Sequence, residues 1–246
     1  MFAQRPDYSQ SKVPVPNSAC KMNKLLSIAL TFAVATVTLT SSAVFAQDAK
    51  PGNAAVGKTK VAMCIGCHGI VGYQASFPEV YRAPMISGQG EKYIVAALNA
   101  YQKGERRHPS MRGIGETLSP QDMADIAAYY AGHGKVEGAV LPDKAAKEPS
   151  AAVGALLQKG ACISCHGANF AKPIDPAYPK IAGQHADYLF VALKSYKTEP
   201  NAQVGRSNGV MGGISKQFTN AELKAMANYI GGLPGDLKTV PQSRFR

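Results

Sequence analysis

The segment CIGCHG at 64–69 returns as CISCHG at 162–167, with the cysteines, the histidine and the glycine in the same places. A fold for this chain must present that constellation twice. The repetition extends far beyond the hexapeptide. APMISGQGEKYIVAALNAYQ at 83–102 aligns with YPKIAGQHADYLFVALKSYK at 178–197, and MRGIGETLSPQDMADIAAYYAGHG at 111–134 with MGGISKQFTNAELKAMANYIGGLP at 211–234. Pro84/Pro179, Gly88/Gly183, Gln89/Gln184, Tyr93/Tyr188, Leu98/Leu193 and Tyr101/Tyr196 fall in register. The chain therefore reads as a duplicated unit. A Pro- and charge-containing stretch separates the copies, which puts the first domain at 47–135, a linker at 136–149 and the second domain at 150–246.

The N-terminal part reads as something other than fold. Residues 22–46 begin with Lys24 near their start, continue with an apolar run from Leu25 to Leu39, and end V-F-A. That order is a secretory signal with cleavage after Ala46; the apolar run is short for a membrane span, which needs roughly 20 residues. Residues 1–21, rich in Pro, Ser and Gln, read as an upstream extension. Setting Cys20 aside leaves Cys64, Cys67, Cys162 and Cys165, so an exported chain has no spare thiol to pair.

Composition narrows the class further. With 46% hydrophobic and 17% charged residues the chain is of soluble globular type, yet it has no Trp and 24 Gly. Units of about 90 residues bury a limited fraction of their surface, so the cores need help from something other than side chains. The net charge of +11, reduced to about +8 without residues 1–46, permits docking to acidic partners and is too diffuse for nucleic acid.

Each copy predicts three helices. The first runs into the Cys-x-x-Cys-His segment, with Ser150 as an N-cap in the second copy. The next covers about 90–103 and 185–197. The last is marked by the capping-box sequences Ser119-Pro120-Gln121-Asp122 and Thr219-Asn220-Ala221-Glu222, and Gly132 and Gly231–Gly232 end it. No stretch alternates usefully between apolar and polar residues, so strands are not expected. Gly57 and Gly154 are candidates for close crossing of the first helix over Tyr129 and Tyr229 of the last.

Three chemistries use a Cys-x-x-Cys-His segment. A zinc site fails on spacing, because the next cysteine pair is a whole domain away. A redox dithiol needs βαβ surroundings and no histidine. A covalent c-type haem employs every residue. The thiols add to the two vinyl groups from one edge of a helical turn, and the histidine coordinates iron. The apolar disc also supplies what the small cores lack.

The duplication sorts candidates for the sixth iron ligand. Met63, Met85, Met123 and Met226 align with Ala161, Lys180, Leu223 and Ile126, as core or surface methionines do. His133 and His185 align with Leu233 and Gly90, and His108 lies in a loop of unequal length. Met111 and Met211 coincide, at loop positions ahead of the third helix. A thioether favours ferrous iron and raises the potential relative to two histidines. With both axial positions filled, no site is open for a small-molecule substrate, which suits a carrier rather than an enzyme. The carbonyls of Pro84 and Pro179 are candidates to orient the histidines through their second N–H. The run KGERRHPSMR at 103–112 reads as a solvated loop rather than a docking rim.

With these residues in place, C-x-x-C-H twice, P-x-I-x-G-Q followed by Tyr twice and M-x-G-I twice, the chain over residues 50–234 resembles the dihaem class I cytochromes of the cytochrome c4 family. The resemblance implies an all-α protein of two tandem cytochrome c-like domains, each of about three main helices around a covalent haem, packed about a pseudo-twofold axis with propionates near the interface. It implies two haem c groups, held by Cys64, Cys67, His68 and Met111 and by Cys162, Cys165, His166 and Met211. It also implies a periplasmic carrier passing single electrons to respiratory partners such as a terminal oxidase, sometimes loosely held at the membrane. The rival reading is a cytochrome subunit of a sulfide- or alcohol-oxidising dehydrogenase. The long N-terminal extension departs from the pattern, and so does the first-half loop 69–83, longer than its counterpart and placed to alter haem exposure.

Overall fold

The computed structural model describes residues 50–199 and 201–242; the signal-sequence reading and Cys20 lie outside the described residues. The first copy contains α1 (Ala54–Lys60), α2 (Ala62–His68), β1 (Gln74–Ala75), β2 (Tyr81–Arg82), α3 (Glu91–Gln102), β3 (Arg106–Arg107), α4 (Pro109–Glu116) and α5 (Pro120–Gly132). The second contains α6 (Ala151–Lys159), α7 (Ile163–His166), α8 (Ala186–Ser195), β4 (Gly205–Arg206), α9 (Gly209–Ser215) and α10 (Asn220–Gly231).

Helix starts follow the sequence signals closely. Ser119 accepts from the Asp122 N–H while the Asp122 carboxylate receives the Ser119 N–H, and Thr219 with Glu222 does the same. Ser150 caps α6 by accepting from Val153 N–H. Each capped last helix supplies one wall of a core. Met123, Ile126, Ala127 and Tyr130 of α5 pack with Val61, Ile65, Ile94 and Leu98. Leu223, Met226, Ala227 and Ile230 of α10 pack with Leu157, Phe170, Leu189 and Phe218.

Three expectations need correction. The first helix of each copy is two helices. In the first copy the break falls at Val61; in the second it spans residues 160–162, where Ala161 takes a left-handed φ of 47°. The methionine loops are helices as well, α4 and α9, whose Gly-rich sequences read as turns because glycine is a poor helix former. Strands exist, each two residues long and so too short to show alternation. β1 pairs antiparallel with β2 inside the long loop 69–83, and β3 pairs antiparallel with β4 across the two copies.

The copies are joined closely. Loop 69–83 lies on α8, where Arg82 Nε meets Asp187 Oδ2 at 2.9 Å and Glu79 pairs with Lys194. The C-terminal tail returns to the first copy, with Lys238 N–H donating to the Ser87 carbonyl at 3.0 Å. The segment before α6 rests on the second core, where Asn169 Nδ2 donates to the Pro142 carbonyl at 2.6 Å and Leu141 and Ala145 pack.

The two first-helix glycines turn out unalike. A Cβ on Gly57 would stand 2.0 Å from the Asp125 carbonyl oxygen and 3.0 Å from Tyr129 Cβ, so α1 crosses α5 where only glycine fits. A Cβ on Gly154 would meet Pro149 Cγ at 3.5 Å, ordinary contact. Gly57→Ala is expected to destabilise the protein by about 1–3 kcal/mol through overpacking. Gly154→Ala is expected to be neutral or stabilising by less than about 1 kcal/mol in denaturant titrations.

The α5 cap is also an ion-pair site. Lys60 Nζ reaches Asp122 Oδ1 at 2.7 Å and the buried Asp125 Oδ2 at 2.6 Å. Its hydrogen bond, and then those of Ser119, hold the Asp122 carboxyl down at about 2. A depressed carboxyl stabilises the fold when ionised, above its ordinary range, and ceases to do so as pH falls towards about 2. Asp122→Ala should therefore cost about 1 kcal/mol at neutral pH, read as a lowered melting temperature. That gap should close between about pH 4 and 2.

Candidate haem sites

Helix α2 carries Cys64, Cys67 and His68 at i, i+3 and i+4, which share one helix face. In the second copy Cys162 is the N-cap of α7, and Cys165 and His166 follow on it. All four thiols are free and half-buried. Burial pushes the Cys64 thiol up to about 11 and raises Cys162 as well. A redox dithiol requires the opposite shift. Among the described residues no three His, Cys, Asp or Glu side chains converge as ligands of a metal cluster. The redox-dithiol reading of the motif thus loses support from the site itself.

The histidines carry the clearest geometry. His68 Nδ1 lies 2.7 Å from the Pro84 carbonyl oxygen and His166 Nδ1 lies 3.0 Å from that of Pro179. A carbonyl only accepts, so Nδ1 is the protonated nitrogen in both rings. Nε2 is left with its lone pair, the form needed to bind a metal. Burial is the main cause holding both imidazoles below their ordinary pKa, against these hydrogen bonds. The rings are therefore neutral and ready to coordinate. The residues present fit the covalent haem that the motif calls for.

The methionines stand in matching places. His108 caps α4 by accepting from Met111 N–H at 3.4 Å, and Asn208 caps α9 by accepting from Met211 N–H at 2.9 Å. His108 is thus the counterpart of Asn208, a cap, which the unequal loop lengths hid in the sequence. Met111 packs on the core that also holds Cys64. His133 is engaged elsewhere, 2.9 Å from Ser87 Oγ and stacked on Tyr129; His185 is the N-cap of α8.

Two further groups escaped the sequence reading. Arg106 is no solvated loop residue. Its guanidinium lies 5.2 Å from the centre of the Tyr93 ring and 5.8 Å from that of Tyr101. Arg206 sits over Tyr188 at 5.7 Å and Tyr196 at 5.4 Å. Arg106 and Arg206 are direct partners in the β3–β4 register. Desolvation opposes both charges, yet the surrounding tyrosines keep both pKa values above the ordinary arginine value. Gln89 and Gln184, visible as a registered pair in the duplication, form reciprocal bonds between the copies. Gln89 Nε2 donates to the Lys180 carbonyl and its Oε1 receives Lys180 N–H, both at 2.9 Å. Gln184 Nε2 donates to the Met85 carbonyl at 2.8 Å and its Oε1 receives Met85 N–H at 2.9 Å.

Comparison with known proteins agrees with this architecture. The Cytochrome c family matches residues 54–132 and 151–234. Cytochrome c4 of Pseudomonas aeruginosa is 32% identical over 184 residues, covering 74% of this chain and 89% of that protein. Cytochrome c4 of Azotobacter vinelandii is 32% identical over 193 residues, covering 74% and 90%. A thiosulfate dehydrogenase electron acceptor of Stutzerimonas stutzeri is 28% identical over 181 residues, covering 69% and 78%. The crystal structure of reduced recombinant cytochrome c4 from Pseudomonas stutzeri superposes with a TM-score of 0.53 at 28% identity, covering 74% of this chain and all of that one. Two tandem cytochrome c domains with two covalent haem c groups define a dihaem electron-transfer cytochrome, an electron carrier and not an enzyme. The chain belongs to the cytochrome c4 family.

Replacing Cys162 and Cys165 together with Ala is expected to leave one haem per chain in a pyridine haemochrome assay. Two haems still attached would refute the role of the second motif.

Proposed function

We propose that the protein carries single electrons in the periplasm, with His68 and Met111 as axial ligands in the first domain and His166 and Met211 in the second. The observation that carries this reading is the twofold occurrence of one arrangement: a histidine whose Nδ1–H is given to a proline carbonyl, and a methionine at the same position of a capped helix. The haem iron supplies one-electron storage. The chain's part is to fill both axial positions, exclude substrate from the metal and hold the ligands still, so that electrons pass with little change of geometry. Arg106 and Arg206, neither ion-paired among the described residues, are the groups that would receive propionate charge between the domains.

The partner is a respiratory redox protein such as a terminal oxidase. Export is supported by the signal-like residues 22–46, and no helix among the described residues is long and apolar enough to cross a membrane. A second reading, service as the cytochrome partner of a periplasmic dehydrogenase, is favoured by the likeness to a thiosulfate dehydrogenase electron acceptor.

Met111→Ala or Met211→Ala should open one haem, lower its reduction potential and permit carbon monoxide binding at that iron alone. A variant that keeps its native spectrum and refuses the gas would remove that methionine as a ligand.

A further inference from the structure

The peptide that orients each histidine is held by the opposite domain. His68 donates to the Pro84 carbonyl, and both backbone polar groups of the next residue, Met85, are bonded to the side chain of Gln184. His166 donates to the Pro179 carbonyl, and both backbone polar groups of Lys180 are bonded to Gln89. Each glutamine is also fixed at its own end, since Gln89 Oε1 receives Gly90 N–H at 2.9 Å and Gln184 Oε1 receives His185 N–H at 3.0 Å. Both glutamines are almost fully buried, at 4% and 3% exposure, and a buried side-chain amide with all its partners in place is stiff and costly to disturb.

We infer that Gln89 and Gln184 are positioning residues for the haem of the opposite domain: Gln184 sets the first haem's histidine through Met85 and Pro84, and Gln89 sets the second's through Lys180 and Pro179. This rests on His68 and His166 being iron ligands. A hydrogen bond from Nδ1–H to a well-placed carbonyl makes the imidazole a stronger donor to its metal and favours the more oxidised ion. Release of the glutamine lets the carbonyl drift, weakens that bond and raises the potential of that haem.

The test exploits the crossover. Potentials of the two haems are measured by redox titration with each haem assigned by NMR, together with hydrogen exchange at the histidine Nδ1–H, in Gln89→Ala, Gln184→Ala and the shorter, equally uncharged Gln89→Asn and Gln184→Asn. An asparagine keeps the amide donor and acceptor but is one methylene short of the opposite peptide. Gln184→Ala is expected to raise the first haem's potential and speed exchange at His68 at least tenfold, leaving the second haem as it was; Gln89→Ala is expected to do the reverse. The asparagine forms should show smaller shifts of the same sense, and they carry the test if the alanine forms fail to assemble. A shift at the haem of the glutamine's own domain, equal shifts at both haems, or no shift at either would overturn the inference. Loss of low-spin His/Met character in the unsubstituted protein would instead sink the ligand assignment beneath it.

Discussion

The bond from each histidine Nδ1–H to a proline carbonyl is the interaction from which the rest of the arrangement follows. It decides which nitrogen keeps its lone pair, and it does so where burial already lowers the pKa of the ring. The carbonyl must then be held in place. It lies in an irregular segment, where no helix or sheet ladder fixes the backbone. The structure meets this by bonding the following residue to a buried glutamine from the other domain. A site that a single domain of this size would leave loosely framed is made rigid by docking two of them.

Duplication explains why one solution appears twice, and the places where the copies have drifted apart are informative. Histidines, proline carbonyls, glutamines, capped methionines and Arg–Tyr stacks are kept in both. The helix crossing at Gly57, the left-handed Ala161 and the extra length of loop 69–83 each belong to one copy. The longer loop places Arg82 and Glu79 on Asp187 and Lys194 of α8 in the other domain. Arg107 faces Gly205 in the β3–β4 register, so one side of the junction carries a guanidinium that the other lacks.

The sequence reading succeeded where the physics is local. Capping boxes involve residues three apart, and Ser119, Thr219 and Ser150 cap as expected. Cys-x-x-Cys-His is a contiguous word, and the proline carbonyls were reachable because both copies kept the residue. It failed where partners are distant or where length disguises structure. Arg106 reads as a loop cation because its rings lie on a preceding helix and its strand partner lies in the other copy. The short helices around Met111 and Met211 are rich in glycine, and their stability comes from caps and packing rather than from propensity. His108 looked like a rival iron ligand because only the folded helix shows that it stands where Asn208 stands.

The same contrast bears on how two chemically alike centres come to differ. If both irons have a neutral imidazole and a thioether, the ligands themselves contribute nothing to a difference in potential. What remains is the surrounding charge and the stiffness of the ligand frame, the usual remaining levers on a haem. The setting differs between the copies at the junction: Glu105 and Arg107 flank Arg106 where Gly205 and Ser207 flank Arg206, and a lysine stands against a methionine on the peptides that the glutamines hold. Lys180 is itself paired with Asp236 at 2.7 Å, a contact Met85 has no means to make. On that condition, the charge and bonding that differ where the domains meet are what sets the two centres apart there.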